Sequence, residues 1–211
     1  MLMKLHDLTT LSTETPGGEA AKVRGLYLTE EMNVREVVVD MNGLLDLRAI
    51  AMPAAAFGTP DVEAGTWPVD ITTEAIKGCE PVRQEPESAL EKVKDMVFSP
   101  LPETRGTLRS GEAYKGLSLD LNEGPVGRVL DIVVDTDTMM VPFVVVETGS
   151  WLPDRQVLLP TAKINSINWD DGKGKVDATQ EEISAAPDVF ENDQITTTGS
   201  GTLLTYYGIG A

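Results

Sequence analysis

Short apolar stretches alternate with polar turns along this chain, and the pattern is clearest in its second half. Leu117–Leu121 leads to a turn at Asn122-Glu123-Gly124-Pro125, and Val126–Val134 then reads as a strand. The Asp135-Thr136-Asp137-Thr138 turn separates it from the β-branched run Val141–Val146, and a third strand, Arg155–Leu159, closes at Pro160. Asp170-Asp171-Gly172 predicts a hairpin leading into Lys175–Ala178. Thr179 is placed to cap a short helix through Ile183, with Glu181 and Glu182 at its positive end. Strands this short and closely spaced, with turn residues between them, predict a small β-barrel.

Residues 11–76 repeat the plan with a weaker pattern. Strands are expected near Ala20–Leu28, Val34–Met41, Leu47–Met52 and Trp67–Ile71, and a helix at Thr73–Lys77. Leu11-Ser12, Gly18, Val23, Val38-Val39 and Gly43 match Leu117-Ser118, Gly124, Val129, Val144-Val145 and Gly149, each displaced by 106. Past a one-residue insertion the displacement is 107, and V-D-x-T-x-E-x-I occurs in both copies, from Val69 and from Val176. Two copies are too few for a solenoid and suit two similar domains. The expected fold is mainly β: two small barrels in tandem, each with a short C-terminal helix, joined by a partly helical linker. The divisions are 1–79 for the first barrel, 80–111 for the linker, 112–189 for the second barrel and 190–211 for a tail. Within the linker, Leu90, Val93, Met96 and Val97 stand at helical spacing.

Aligned in this way, Val37 and Val39 match Phe143 and Val145 and are expected in the barrel interiors. Glu36, Val38 and Asp40 then match Pro142, Val144 and Val146, so the second copy's outer face is wholly apolar and needs a cover. The loop Trp151-Leu152-Pro153 and its counterpart Leu44-Leu45 are further interface candidates. Trp151 has two open readings, an interface anchor or a plug folded over the barrel end. In the tail, Leu203, Leu204, Tyr206 and Tyr207 are too apolar for a solvating terminus, and docking is expected on a barrel, foremost on the Pro142, Val144 and Val146 face, or on the partner complex.

Composition narrows the partners. The 211 residues carry a net charge of −17, which disfavours nucleic acid, whose binding draws on Lys and Arg, and anionic lipid surfaces. Cys79 is the only cysteine and His6 the only histidine, so a disulfide, a His-rich metal site and a conventional triad have no material. Asp135-x-Asp137 and Asp170-Asp171-Gly172 read as turns rather than calcium loops. The N-terminal sequence lacks the apolar core of a signal peptide, and no apolar run approaches the roughly 20 residues of a spanning helix. The chain is therefore expected to be a cytoplasmic non-enzyme with no cofactor and no metal.

Gly127-Arg128-Val129-Leu130-Asp131-Ile132-Val133-Val134-Asp135, then Val144–Pro153, Arg155–Pro160 and Val176-Asp177-x-Thr179 resemble the PRC-barrel family over residues 114–189. The resemblance implies a six-stranded barrel of the kind found in the photosynthetic reaction-centre H subunit, in a ribosome maturation factor and in free-standing bacterial proteins. Asp193-Gln194-Ile195-Thr196 and the closing Tyr206-Tyr207-Gly208-Ile209-Gly210-Ala211 are similar to the end of the H subunit, and the N-terminal membrane helix of that subunit is not expected here. The leading expectation is a peripheral, H-subunit-like scaffold or assembly subunit on the cytoplasmic side of a reaction-centre complex, reaching the inner membrane through protein partners without inserting. A free-standing soluble tandem adaptor for stress or assembly and a ribosome-maturation-type binding factor stay open beside it, as does a homodimer.

Overall fold

Bulged antiparallel hairpins build most of the structure, a computed structural model that describes residues 1–14, 20–43, 46–79, 81–82, 101–153, 155–187, 190–191, 194–195 and 197–209. The first repeat contains β1 (Leu2–Lys4), α1 (Leu5–Leu8), β2 (Ser12–Glu14), β3 (Ala20–Leu28), β4 (Val34–Gly43), β5 (Asp46–Pro53) and α2 (Thr73–Gly78). β6 (Thr104–Arg105) and β7 (Leu108–Ser110) precede the second series: β8 (Ser118–Asp120), β9 (Pro125–Asp135), β10 (Met140–Glu147), β11 (Gln156–Pro160), β12 (Ile164–Asn168), β13 (Lys173–Val176) and α3 (Gln180–Ala185). β14 (Phe190–Glu191), β15 (Gln194–Ile195) and α4 (Thr197–Tyr206) form the tail. The fold is mainly β, with two large curled sheets. The linker segment expected to be helical, Glu87–Met96, lies outside the described residues.

Local chemistry accounts for the element ends. Thr179 accepts a hydrogen bond from the Glu182 N–H while Glu182 reaches back to the Thr179 N–H, a reciprocal cap that satisfies two free donors at the start of α3. Thr72 caps α2 through the Ala75 N–H. The strand expected at Trp67–Ile71 is absent: Thr66 and Val69 make isolated bridges only, and Pro68 between them has no N–H to give a ladder. Trp67 is nonetheless fully buried, its indole N–H donating to the Gly58 carbonyl at 2.7 Å. Gly127 cannot be replaced by a residue with a side chain, because a Cβ there would collide with the Glu147 carbonyl and lie 2.9 Å from the Thr148 Cα.

The one-residue insertion lies earlier than the sequence alignment places it. Met32 and Met139 are the only non-glycine residues with positive φ among those described, at 62° and 52°, and they stand 107 apart. Pairing agrees: Val37 and Val39 face Met52 and Ile50 across β4 and β5, while Val144 and Val146 face Leu159 and Val157 across β10 and β11. The extra residue therefore sits in the β9–β10 turn, and Val37 and Val39 correspond to Val144 and Val146. A slip of one residue in a strand exchanges its faces. Val144 and Val146 thus belong to the inner face, fully buried, and the second sheet's outer face carries Phe143 and Val145.

Each compact unit draws on both repeats. One contains Met1–Lys4, Ala113–Asp135 and Val141–Ala211; the other contains Leu5–Glu112 and Thr136–Met140. In the first, the sheet order is β11-β10-β9-β8-β13-β12, with β1 on β9 and a parallel β8–β13 ladder. In the second it is β5-β4-β3-β7-β6, with β2 on β3, and the Val34 N–H donates to the Met139 carbonyl at 2.8 Å. Leu26, Val37, Met52 and Trp67 are buried in the second unit, and Leu119, Ile132, Val144 and Leu159 in the first.

Candidate functional site

The loop after β10 is built to hold its shape. Gly149 takes φ 65°, a conformation that suits a residue without a Cβ. The Thr148 side chain is buried, and its hydroxyl oxygen lies 2.5 Å from the Leu152 carbonyl and 2.8 Å from that of Arg155. Trp151 is half-buried, and its indole N–H donates to the Val126 carbonyl at 2.6 Å. Leu152 is half-buried and Pro153 exposed. Trp151 is thereby fastened to β9 and leaves part of its ring, with Pro153, open to solvent. The first-repeat counterpart, Leu44-Leu45, lies outside the described residues.

Each sheet's outer face is closed by the segment that follows its own repeat. In the first, Tyr27, Val38 and Ala51 pack with Val82 and Leu101, and the Tyr27 hydroxyl donates to the Pro102 carbonyl at 3.0 Å. The charges on that face are paired: Arg105 meets Glu36 at 2.9 Å and Arg24 meets Asp40 at 2.8 Å. In the second, Val133, Phe143, Val145 and Leu158 pack with Ala186, Leu203 and Tyr207, with Leu2, Ile195, Leu204 and Ile209 around them. The tail docks as expected on its own sheet, yet on the Phe143 and Val145 face rather than on that of Pro142, Val144 and Val146. Pro142 is half-buried. Glu36 corresponds to Phe143 under the 107-residue displacement, which explains why one cover brings an arginine and the other an apolar cluster.

Tyr206 is the tail's exposed aromatic, 40% accessible, and its hydroxyl donates to the Glu182 carbonyl at 2.9 Å. Tyr207 is 7% exposed. Its hydroxyl has no hydrogen-bond partner among the described residues, and burial pushes its pKa up to about 12, with Tyr206 and Glu182 adding to the rise. Arg155 offsets part of that rise and also closes α3: its guanidinium donates to the Ser184 and Ala186 carbonyls at 2.6 and 2.7 Å, a cation at a helix C-terminus. Sequence reasoning passed over Arg155. The signal was a lone arginine just before a strand that is apolar from Val157 to Pro160.

Exposed apolar side chains concentrate at few points. Leu130 is 37% accessible on β9, where the first repeat has Arg24 paired with Asp40. Asp131 beside it is buried, accepts from the Ile132 N–H at 2.8 Å and lies 3.7 Å from the Lys115 amine. His6 is exposed in α1. Cys79 is half-buried, its thiol set 3.3 Å from the Ala75 carbonyl, and burial raises its pKa with Glu36 adding to the rise. At the Asp170-Asp171-Gly172 turn, the Asn168 side chain accepts from the Asp170 N–H at 3.1 Å and donates to the Asp171 carboxylate at 2.7 Å. These aspartates serve the turn. No helix among the described residues is long and apolar enough to cross a membrane.

Residues 120–183, running from the end of β8 into α3, match the family described as PRC-barrel domain. The second repeat carries a PRC-barrel domain. No curated protein matches the chain. The matched stretch ends at Ile183, so Leu203 and Tyr207, which cover the outer face of the PRC-barrel domain, lie beyond it. So does β1, the strand added to β9.

Proposed function

We propose that this chain is a non-enzymatic scaffold made of two PRC-type barrels, the first a diverged copy, that binds protein partners. The observation that carries the reading is the PRC-barrel domain itself, a family with protein-interaction roles, together with the rim it presents. Trp151, Pro153 and Leu130 stay partly or wholly exposed, with the Trp151 indole held by the Val126 carbonyl and Leu130 held within β9. An anchor held in place before binding loses little freedom on association. The net charge of −17 favours a partner face that is apolar with basic surroundings.

The finer reading places that partner in a photosynthetic reaction-centre complex, with the chain as a peripheral H-subunit-like subunit on its cytoplasmic side. Its support is the resemblance of Asp193-Gln194-Ile195-Thr196 and the Tyr206-Tyr207-Gly208 close to the end of that subunit. A second reading, a free-standing adaptor, is favoured by one observation: the tail already packs on its own sheet through Leu203 and Tyr207. Affinity capture from native membranes separates the two. Reaction-centre polypeptides and pigment absorbance retained with the tagged chain, and lost with Trp151→Ala plus Leu130→Ser, support the finer reading. Recovery of the chain free of pigment, or with ribosomal particles, overturns it.

A further inference from the structure

The duplication begins nine residues earlier than the sequence pattern reveals. β7 (Leu108–Ser110) lies 106 residues after β1 (Leu2–Lys4), and the one-turn helix Gly111–Tyr114 lies 106 after α1 (Leu5–Leu8). Each repeat therefore opens with a three-residue strand followed at once by a helical turn. Neither opening strand pairs within its own repeat. β1 pairs with β9, Met3 facing Val134 and Lys4 facing Val133. β7 pairs with β3, Arg109 facing Leu28 and Ser110 facing Tyr27. Under the 106-residue displacement, Met3 becomes Arg109 and Val134 is the counterpart of Leu28, so one ladder has been made twice, in the same register, with its strands exchanged.

A repeat of this kind carries a donor strand and an edge that accepts the same strand from another copy. That is a self-complementary arrangement, which closes when two copies meet. The donor is seated as a core element would be: Met3 and Ser110 are almost fully buried, and Leu2 packs against the outer-face cluster of the second sheet. We infer that this chain is the single-chain form of a strand-exchanged homodimer. The edge at Tyr27–Leu28, and its equivalent at Val133–Val134, is a binding site for the opening strand of another copy of the repeat. Here both sites are filled from within, so the chain is a monomer with respect to this surface.

The test uses the full chain, cut after folding. Gly106 is exposed, has φ 60° and has open space around it, so a protease site placed at that turn leaves the ladders on either side in place. After cleavage the two halves should co-elute at the size of the intact chain and stay together on dilution. Met3→Pro, which cannot donate to the β9 ladder, should weaken the cut complex about tenfold. Because that variant could also disturb folding, a second readout is independent of affinity: Met3→Cys with Val134→Cys, in a Cys79→Ser background, should join the two halves covalently on oxidation. Halves of the parent chain that separate on cleavage, or paired cysteines that leave the halves unlinked, would overturn the inference.

Discussion

Leu101 and Tyr207 play matching parts in the two sheets, each a buried side chain that a following segment sets on the outer face. Under Leu101 the sheet offers Gly25, where an added Cβ would lie 2.6 Å from the leucine methyl. The residue corresponding to Gly25 is Asp131, buried and near Lys115. One face thus accepts a leucine against bare backbone, and the other takes a tyrosine whose ring is buried together with an unpartnered hydroxyl.

That hydroxyl makes the unit built on β9 and β10 sensitive to alkali. Tyr207 ionises near 12 in the folded protein and near 10 when unfolded. Its folded pKa is raised, so the associated stability is whole below pH 10 and is lost as pH climbs through 12, an effect on the order of 2 kcal/mol. Denaturant midpoints should fall across that window in the parent chain and fall less in Tyr207→Phe. At neutral pH the same variant should be more stable by about 1 kcal/mol, since it deletes a buried group that has no partner.

Truncating the cover should open the sheet beneath it. Leu203→Ala should cost about 2 to 4 kcal/mol in urea denaturation, as expected for a leucine removed from a closed cluster. Deleting residues 197–211 should go further, exposing Phe143 and Val145. Increased binding of a hydrophobic dye and a shift to larger species in light scattering would register it. A deletion that changes neither would show that the packing of Leu203 and Tyr207 contributes nothing in solution.

Trp151 serves both folding and surface. Trp151→Phe keeps most of the ring but loses the bond to Val126, and a cost of about 1 kcal/mol in stability is expected. Trp151→Ala should cost about 2 to 3 kcal/mol, the bond and the half-buried ring together. If partner binding falls with Ala and survives with Phe, the exposed part of the ring makes the contact.

Gly127→Ala should be the most damaging single methyl in the unit built on β9 and β10. The collision is with the Glu147 carbonyl, a backbone atom that cannot rotate away. A loss of about 3 kcal/mol or more is expected, in the range reserved for backbone conflicts. Gly201→Ala, in open space on α4, is the control and should stabilise slightly.

Much of this architecture is written locally. The Thr179 cap with its glutamate, the turn after Asp170 and the β-branched strands announce themselves through residues that touch near neighbours. The face assignment was hidden for a specific reason. Val37-Val38-Val39 can slide by one against Val144-Val145-Val146 with no change in residue type, and Gly43 with Gly149 favoured the wrong register. The paired turns at Met32 and Met139 resolve it, together with the β4–β5 and β10–β11 registers. The partner of β1 was hidden for another: three residues carry too little periodicity to say which edge they will join. The apolar tail announces a cover through Leu203 and Tyr207, but the face it reaches and the role of Arg155 depend on contacts between distant segments.

The exchange of opening strands also sets a timetable. Leu2 leaves the ribosome early, but its place on the sheet is beside Asp135, which is made long afterwards. Until then β9 does not exist, and the first sheet must wait in turn for Leu108–Ser110 to complete β3. Neither half can finish folding while it is being synthesised alone, and the late closing of such distant contacts slows the search. A nascent chain halted before residue 108 should therefore be unfinished in its first sheet, and one halted before residue 125 should still hold a strand, β1, that has nowhere to go.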